Sequence, residues 1–348
     1  MSSPAVTVLL AVHNGGELLR ASIESVLAQT FTDWELLVVN DGSTDQTLAI
    51  LDEYHDPRLR VVTNPENVGL TRSLNRGVRE ARGALIARQD ADDLSGRTRL
   101  QKQVAFLKAH RDVQLLGSSA WRLNPTGRIT GSNDLPTTHD AIRWASIVDC
   151  PFLHTSVMFR RETVLREFGA YDEQFSISQD YDLWNRIAAR GAVANLSERL
   201  VSMREHPRSM TRTRSEATNE EIARILEANW KALFPARVFS EEEKRLLRLF
   251  RQRFPAEELP RLRAVLARLL RDFLTRHPQA AESRDFQATL CRQAMRLAYK
   301  FLSSDPAVAL KELARAFLLS PMECVAQAAV MTRCRLGIPP RADGGGRP

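Results

Sequence analysis

The stretch Ala84-Leu85-Ile86-Ala87-Arg88-Gln89-Asp90-Ala91-Asp92-Asp93 places three carboxylates directly after a short apolar run. Such a run reads as a buried strand, so the acids crowd its carboxyl end, where mutual repulsion is severe without a cation. Hard oxygen donors of this kind suit magnesium or manganese. In isolation the same acids also fit a solvated turn, or a cap for a helix beginning near Arg97. Their position at a strand end favours the cation.

Working outward, apolar runs at Val6–Val12, Glu35–Asn40, Leu59–Thr63 and Leu85–Arg88 alternate with amphipathic stretches at Glu17–Ala28, Thr44–Tyr54 and Leu70–Ala81. This βαβαβαβ rhythm predicts parallel strands joined by right-handed helical crossovers, with ligands just beyond the strands' carboxyl ends. Polar residues fall at those ends: His13-Asn14, Asp41-Gly42-Ser43, Asn64 to Asn67, and Asp90 to Asp93. Asp41 can accept hydrogen bonds from ribose hydroxyls or a base N–H, while Ser43 or Thr44 reads as a helix cap. No G-x-G-x-x-G or Walker sequence occurs, so phosphates must be held by metal and side chains.

Residues 95–215 are less regular and read as the acceptor half, with helices from about Arg97 to His110 and around Asp180–Arg190. Strand-like runs lie near Val113–Leu116 and Ser156–Phe159. Ser178-Gln179-Asp180-Tyr181-Asp182-Leu183-Trp184 opens the second helix with acids in its first turn, where the helix dipole stabilises carboxylates. Asp180 suits a general base, and ordinary helix-start acids are the other reading. His154 and His206 stand beside prolines and apolar residues; such lone histidines also occur as satisfied core or surface residues.

From about Glu216 helical periodicity takes over, in Glu220–Leu233, Glu241–Phe254, Leu259–Arg276, Asp285–Leu302, Ala307–Leu319 and Cys324–Leu336. Asp305-Pro306 and the alanine spacing of the last two segments resemble a tetratricopeptide hairpin. The Gly-rich tail Arg341–Pro348 reads as disordered.

Of the 348 residues, 43% are hydrophobic and 26% charged, which are globular values. No window approaches the roughly 20 apolar residues of a membrane span. Met1–Pro4 lacks a basic n-region, so no secretory signal is expected. Four scattered cysteines (Cys150, Cys291, Cys324, Cys334) show neither zinc nor disulfide spacing, which fits a reduced, cytoplasmic setting. Residues 1–215 carry 26 basic and 26 acidic side chains, whereas 216–348 carry 23 and 16, so the whole net charge of +7 belongs to the helical part. No nucleic-acid motif accompanies it, and Arg261, Arg263, Arg268 and Arg271 read as a solvated helix face. An anionic membrane, a lipid-linked acceptor or a protein partner would satisfy the same charge.

Taken in order, Val6 to Asn14, Trp34 to Asp45, Asn67-Val68-Gly69-Leu70, Asn75-Arg76-Gly77, Arg88 to Asp93 and Gln179 to Trp184 resemble the family-two glycosyltransferases over roughly residues 4–212. The resemblance implies an α/β fold: a Rossmann-like GT-A domain with a mostly parallel central sheet over residues 1–215, here followed by an all-helical region over 216–340. It implies a nucleotide-diphosphate sugar donor, UDP favoured, a divalent metal (Mg2+ or Mn2+), a glycan or lipid-linked acceptor, and inversion at the anomeric carbon. Carried over residue by residue, Ala11, His13, Glu17 and Asp41 line the nucleoside, and Asn67 and Arg88 lie near ribose and phosphates. Asp90 and Asp92 match the DxD motif, with Asp92 the direct metal ligand and Asp90 touching ribose or metal-bound water. His206 completes the metal or pyrophosphate site, Asp180 is the base, and His154 and Trp184 shape the acceptor pocket.

Three positions depart from the pattern. His13 stands for the usual tyrosine, Gln179 for the glutamate before the base, and Ser73-Leu74 lacks an arginine, for which Arg72 or Arg88 would substitute. Two alternatives stay open. A sugar nucleotidyltransferase would need a Gly-rich basic loop where only Gly15-Gly16-Glu17 is found, and a non-enzymatic nucleotide-sugar sensor would not need both carboxylate groups.

Overall fold

The computed structural model describes residues 3–205, 216–302 and 304–326. Its strands are β1 (Val6–Val12), β2 (Trp34–Asp41), β3 (Leu59–Asn64), β4 (Leu85–Gln89), β5 (Leu94–Ser95), β6 (Val113–Leu123), β7 (Ile129–Asn133), β8 (Met158–Arg160) and β9 (Ala192–Arg204). The helices up to β9 are α1 (Leu18–Leu27), α2 (Thr47–Asp52), α3 (Leu70–Glu80), α4 (Arg99–Ala109), α5 (His139–Ala145), α6 (Arg161–Thr163) and α7 (Gln179–Arg190). After β9 come α8 (Glu216–Leu233), α9 (Glu241–Leu249), α10 (Leu259–Arg276), α11 (Arg284–Phe301) and α12 (Pro306–Leu319).

β1 and β2 are buried along their whole length, which is why their sequences read as unbroken apolar runs rather than alternating ones. They pair in parallel from Val6↔Trp34 to Val12↔Asn40, so their chain ends emerge side by side. β4 and β3 flank them, also in parallel. The full order is β3-β2-β1-β4-β8-β6-β9-β5, with β7 on β6. Beyond β4 the sheet is mixed, because β8 runs antiparallel to both β4 and β6 while β6 and β9 pair in parallel.

The helix expected from Thr44 is shorter and capped differently. It begins after Gln46 without a side-chain cap, because Ser43 and Asp45 serve the loop instead: Ser43 Oγ accepts from Asn14 N, and Asp45 accepts from Gly16 N and Thr47 N.

The chain forms two compact units, one spanning residues up to Leu135 with Phe152–Glu221, the other Pro136–Pro151 with the helices from Ile222 onward. The boundary expected at 215/216 did not anticipate the segment 136–151 in the helical unit. Tertiary contacts explain it: Trp144 Nε1 donates to Gln293 (2.9 Å), Trp230 Nε1 to the Ile147 carbonyl (2.8 Å), and Asp285 accepts from the Thr137 and Thr138 amides. Stacked Phe273 and Phe286 rings enclose Trp144. No helix among the described residues is long and apolar enough to cross a membrane. His206, Cys334, the tail 341–348 and most of the helix expected at Cys324–Leu336 lie outside the described residues.

Candidate active site

The carboxyl ends of β1 to β4 converge on one edge of the sheet. β1 delivers Ala11, which is buried, and the chain then continues to His13 and Asn14. His13 Nδ1 lies 2.8 Å from the Asp41 carbonyl, which only accepts, so Nδ1 carries the proton and Nε2 accepts from Asn14 Nδ2 (3.1 Å). Asn14, at φ 53°, accepts the amides of Thr44 (2.8 Å) and Asp45 (3.3 Å) through Oδ1. The planar ring at position 13 is thus held by both strand ends. Glu17 is exposed and paired with Arg20 (3.1 Å) at the rim.

Asp41 is buried and accepts from Asn64 Nδ2 (2.7 Å), Val68 N (3.0 Å) and Gly69 N (2.9 Å). Burial opposes its charge, but these hydrogen bonds prevail and hold the carboxyl below the ordinary range. Its principal work is to pin the loop that carries exposed Asn67. Gly42, at φ +63°, lies beneath that loop: a β-carbon there would sit 2.4 Å from the Glu66 carbonyl carbon and 2.6 Å from Asn67 N.

At the end of β4, Arg88 is wholly buried, with its N–H groups engaged inside the protein. Nη1 donates to the carbonyls of Leu9 (2.7 Å) and Gln89 (2.6 Å), Nε to His154 Nε2 (2.9 Å), and Nη2 to Asp90 Oδ1. A guanidinium without exposed surface acts on a ligand only through Asp90 and His154. Arg72 does not replace it, since it points to Glu173 (3.2 Å) in solvent. Burial works against charge on Asp90, but Arg88 outweighs it and keeps the carboxyl below its usual value. Asp93 is the opposite case. Burial, then the charges of Asp90 and Asp92, raise its carboxyl well above the usual range, while Arg204 N donates to it (2.8 Å).

Asp180 is the second residue of α7 and half-buried, with Oδ1 accepting from Tyr181 N (2.7 Å). Burial first, then the charge of Asp90, push its carboxyl up to about 6. Asp90 thereby supplies the like charge that Gln179 does not. His154 is neutral, its ring driven down to about 3 by burial and the Arg88 charge. Trp184 is fully buried, and its ring backs His154 and Tyr171 at centroid distances of 6.1 and 6.0 Å. Among the described residues, buried Gln179 Oε1 and Trp184 Nε1 have no hydrogen-bond partner.

Several supporting residues escaped sequence reading. Arg99, fully buried, donates to Gln89 Oε1, Ser95 Oγ and the Arg88 carbonyl behind the acids. Tyr171 OH approaches His154 Nε2 (3.4 Å), and Asn75 holds the Tyr171 backbone through both its amide and carbonyl groups. Only Asn75 stood in a noted motif.

Carboxylates that repel one another around Asp93, with half-buried Asp92 among them, form a hard-oxygen donor set that fits magnesium or manganese. Among the described residues no three such side chains converge as a closed ligand cage, so any cation here would be completed by other donors.

The glycosyl transferase family 2 profile matches residues 7–167. Over 210 residues the chain is 37% identical to EpsE of Bacillus subtilis, named as a glycosyltransferase, covering 59% of this chain and 74% of that one. It is 31% identical over 209 residues to the O-antigen biosynthesis glycosyltransferase WbnJ of Escherichia coli, covering 59% and 81%. In three dimensions it resembles residues 1–349 of S. aureus TarS, solved in complex with UDP-GlcNAc, with a TM-score of 0.57 and 17% identity over 98% of this chain and 93% of that one. Similarity of this extent joins a sheet that gathers its acids at the strand ends, and on both grounds the chain belongs to glycosyl transferase family 2.

Proposed function

We propose that this glycosyltransferase inverts configuration while moving a sugar from a nucleotide-diphosphate donor to an acceptor hydroxyl, with Asp180 as general base. The carrying observation is the Asp180 carboxyl, half-buried at the start of α7 within reach of the Asp90 charge and poised near 6. A base of that strength is mostly ionised at neutral pH yet still takes a proton readily. It removes the acceptor proton as the hydroxyl oxygen bonds to the anomeric carbon and the bond to the diphosphate breaks.

Ala11, His13, Glu17, Asp41 and Asn67 form the nucleoside side, and Asp90, oriented by Arg88, reaches ribose. Neutral His154, backed by Trp184, is assigned to the acceptor side. Asp92 would hold a divalent cation, with His206 a second candidate, and the cation would supply neutralisation of charge on the departing diphosphate.

UDP is the favoured nucleotide because TarS, alike in fold, was solved with UDP-GlcNAc. The likeness to WbnJ, named for O-antigen biosynthesis, supports a glycan acceptor of the O-antigen or polysaccharide kind. The excess positive charge of residues 216–348 supports peripheral contact with an anionic membrane carrying a lipid-linked acceptor.

Calorimetric titration with UDP-, dTDP- and GDP-sugars, with and without manganese, on wild type and D92A tests this reading. Binding of one nucleotide class that requires both manganese and Asp92 is expected. Folded protein that binds none of them would overturn it.

A further inference from the structure

The loop Tyr171–Ser178, which leads into Asp180, is held from two sides. On one side α3 grips it: Asn75 bonds the Tyr171 backbone and Thr71 Oγ1 donates to the Phe175 carbonyl (2.8 Å). On the other side stands Glu221 of α8, 9% exposed. Its Oε1 accepts from Ser176 N (2.8 Å) and Ser176 Oγ (2.9 Å), and its Oε2 from Ile177 N (3.1 Å) and Ser178 N (2.9 Å).

Three successive amides converging on one carboxylate form an anion-holding turn, here filled from within the chain. Ser178 is the residue before α7 and has no side-chain cap of its own, so Glu221 supplies the anchoring that the helix start lacks. Burial opposes the Glu221 charge, but the amides outweigh it and keep the carboxyl below its ordinary value. Glu221 lies beyond residues 7–167 of the family match, on the helix that follows the sheet.

We propose that Glu221 is a positioning residue for the base Asp180: its carboxylate locks Ser176 to Ser178 and so fixes where the first turn of α7 presents the base. This rests on the reading of Asp180 as base. The groups facing Asp180 are Asp90 and Arg88 from the end of β4 and Tyr171 from the loop itself. None of these touches Glu221, so a change at Glu221 reaches Asp180 through the backbone. Loosening the turn admits water to Asp180 and lowers its proton affinity.

E221Q, E221D and D180N are compared with wild type, using the nucleotide-sugar that binds best in the panel and release of nucleoside diphosphate to water as turnover. E221Q replaces one accepting oxygen with a donor that opposes the amides. It should lower kcat about tenfold to a hundredfold, as misplacement of a reacting group by about 1 Å does. Donor affinity should stay unchanged, and the acid limb of the pH–kcat curve should move below about 6. E221D should recover part of kcat. Hydrogen exchange at Ser176 to Ser178, which needs no ligand, should quicken in E221Q by about tenfold or more.

Wild-type kcat with an unmoved acid limb, or unchanged exchange at these amides, overturns the inference. So does a loss of kcat matched by equal loss of donor binding, which marks a merely structural residue. An active D180N would overturn the base assignment itself, and this inference with it, whereas an inactive D180N beside wild-type E221Q refutes only the role of Glu221.

Discussion

Arg88 Nε–H donates to His154 Nε2 across 2.9 Å, which fixes the imidazole as the Nδ1–H tautomer. The same guanidinium holds Asp90, so one buried cation sets the orientation of a donor-side acid and an acceptor-side ring. His154 should remain neutral at pH 5, because burial and the Arg88 charge lower it to about 3. The unfolded chain binds that proton near 6.5, so this residue makes the native state lose stability as pH falls from 6.5 toward 3, by up to about 1.4 kcal/mol per pH unit. Nitrogen chemical shifts of the ring check this, and an imidazolium pattern at pH 5 would contradict it.

Asp180→Asn keeps the shape of the side chain and removes the base. Turnover should fall by about two to four orders of magnitude with donor binding retained. In wild type only the ionised carboxylate accepts a proton, so kcat should rise through pH about 6 and level off above it. At pH 5 roughly a tenth of the plateau should remain. Near wild-type turnover in D180N, or a flat profile from pH 5 to 7, would remove the base assignment.

Chelation with EDTA should abolish donor binding, and manganese should restore it in wild type but not in Asp92→Ala. The reason is charge: burial, and then the charges of Asp90 and Asp92, already raise the Asp93 carboxyl, and a donor diphosphate adds more negative charge to the same edge. Without a cation that approach is repulsive. Tight, EDTA-insensitive donor binding would mean that side chains alone neutralise the phosphates.

The parallel half of the fold was legible because β1 and β2 are buried on both faces, and two-sided burial writes itself as unbroken apolar sequence. The acids after β4 stood out for a related reason, since three carboxylates at the end of a buried run gather like charge. How Arg88 is held was not legible, because a sequence shows that an arginine is near a site, not that its N–H groups bond Leu9, Gln89, His154 and Asp90. The full burial of Trp184 was not legible either, since helical position does not say how deeply an aromatic ring packs. The segment 136–151 was hidden more deeply, for its place among the helices depends on Thr137 meeting Asp285, 148 positions on, and Trp144 meeting Gln293, 149 positions on.

Asp41 and Gly42 separate pinning of a loop from contact with a ligand. Asp41→Asn turns an amide toward the N–H groups of Asn64, Val68 and Gly69, losing charge-assisted bonds that contribute about 3 kcal/mol. Thermal unfolding should fall by about 6–12 °C for a unit of this size. Because the native carboxyl lies below its ordinary value, this stability is present above about pH 4 and is lost as pH falls further, so the gap between mutant and wild type should narrow in acid. Gly42→Ala leaves that carboxylate intact but drives a methyl into the backbone of Glu66 and Asn67, which no rotamer can relieve. If Asn67 lines the donor, G42A should weaken nucleotide-sugar binding at pH 7 more than D41N does relative to the stability each loses. Equal scaling of binding with stability in both mutants would mean that the loop serves the fold and not the ligand.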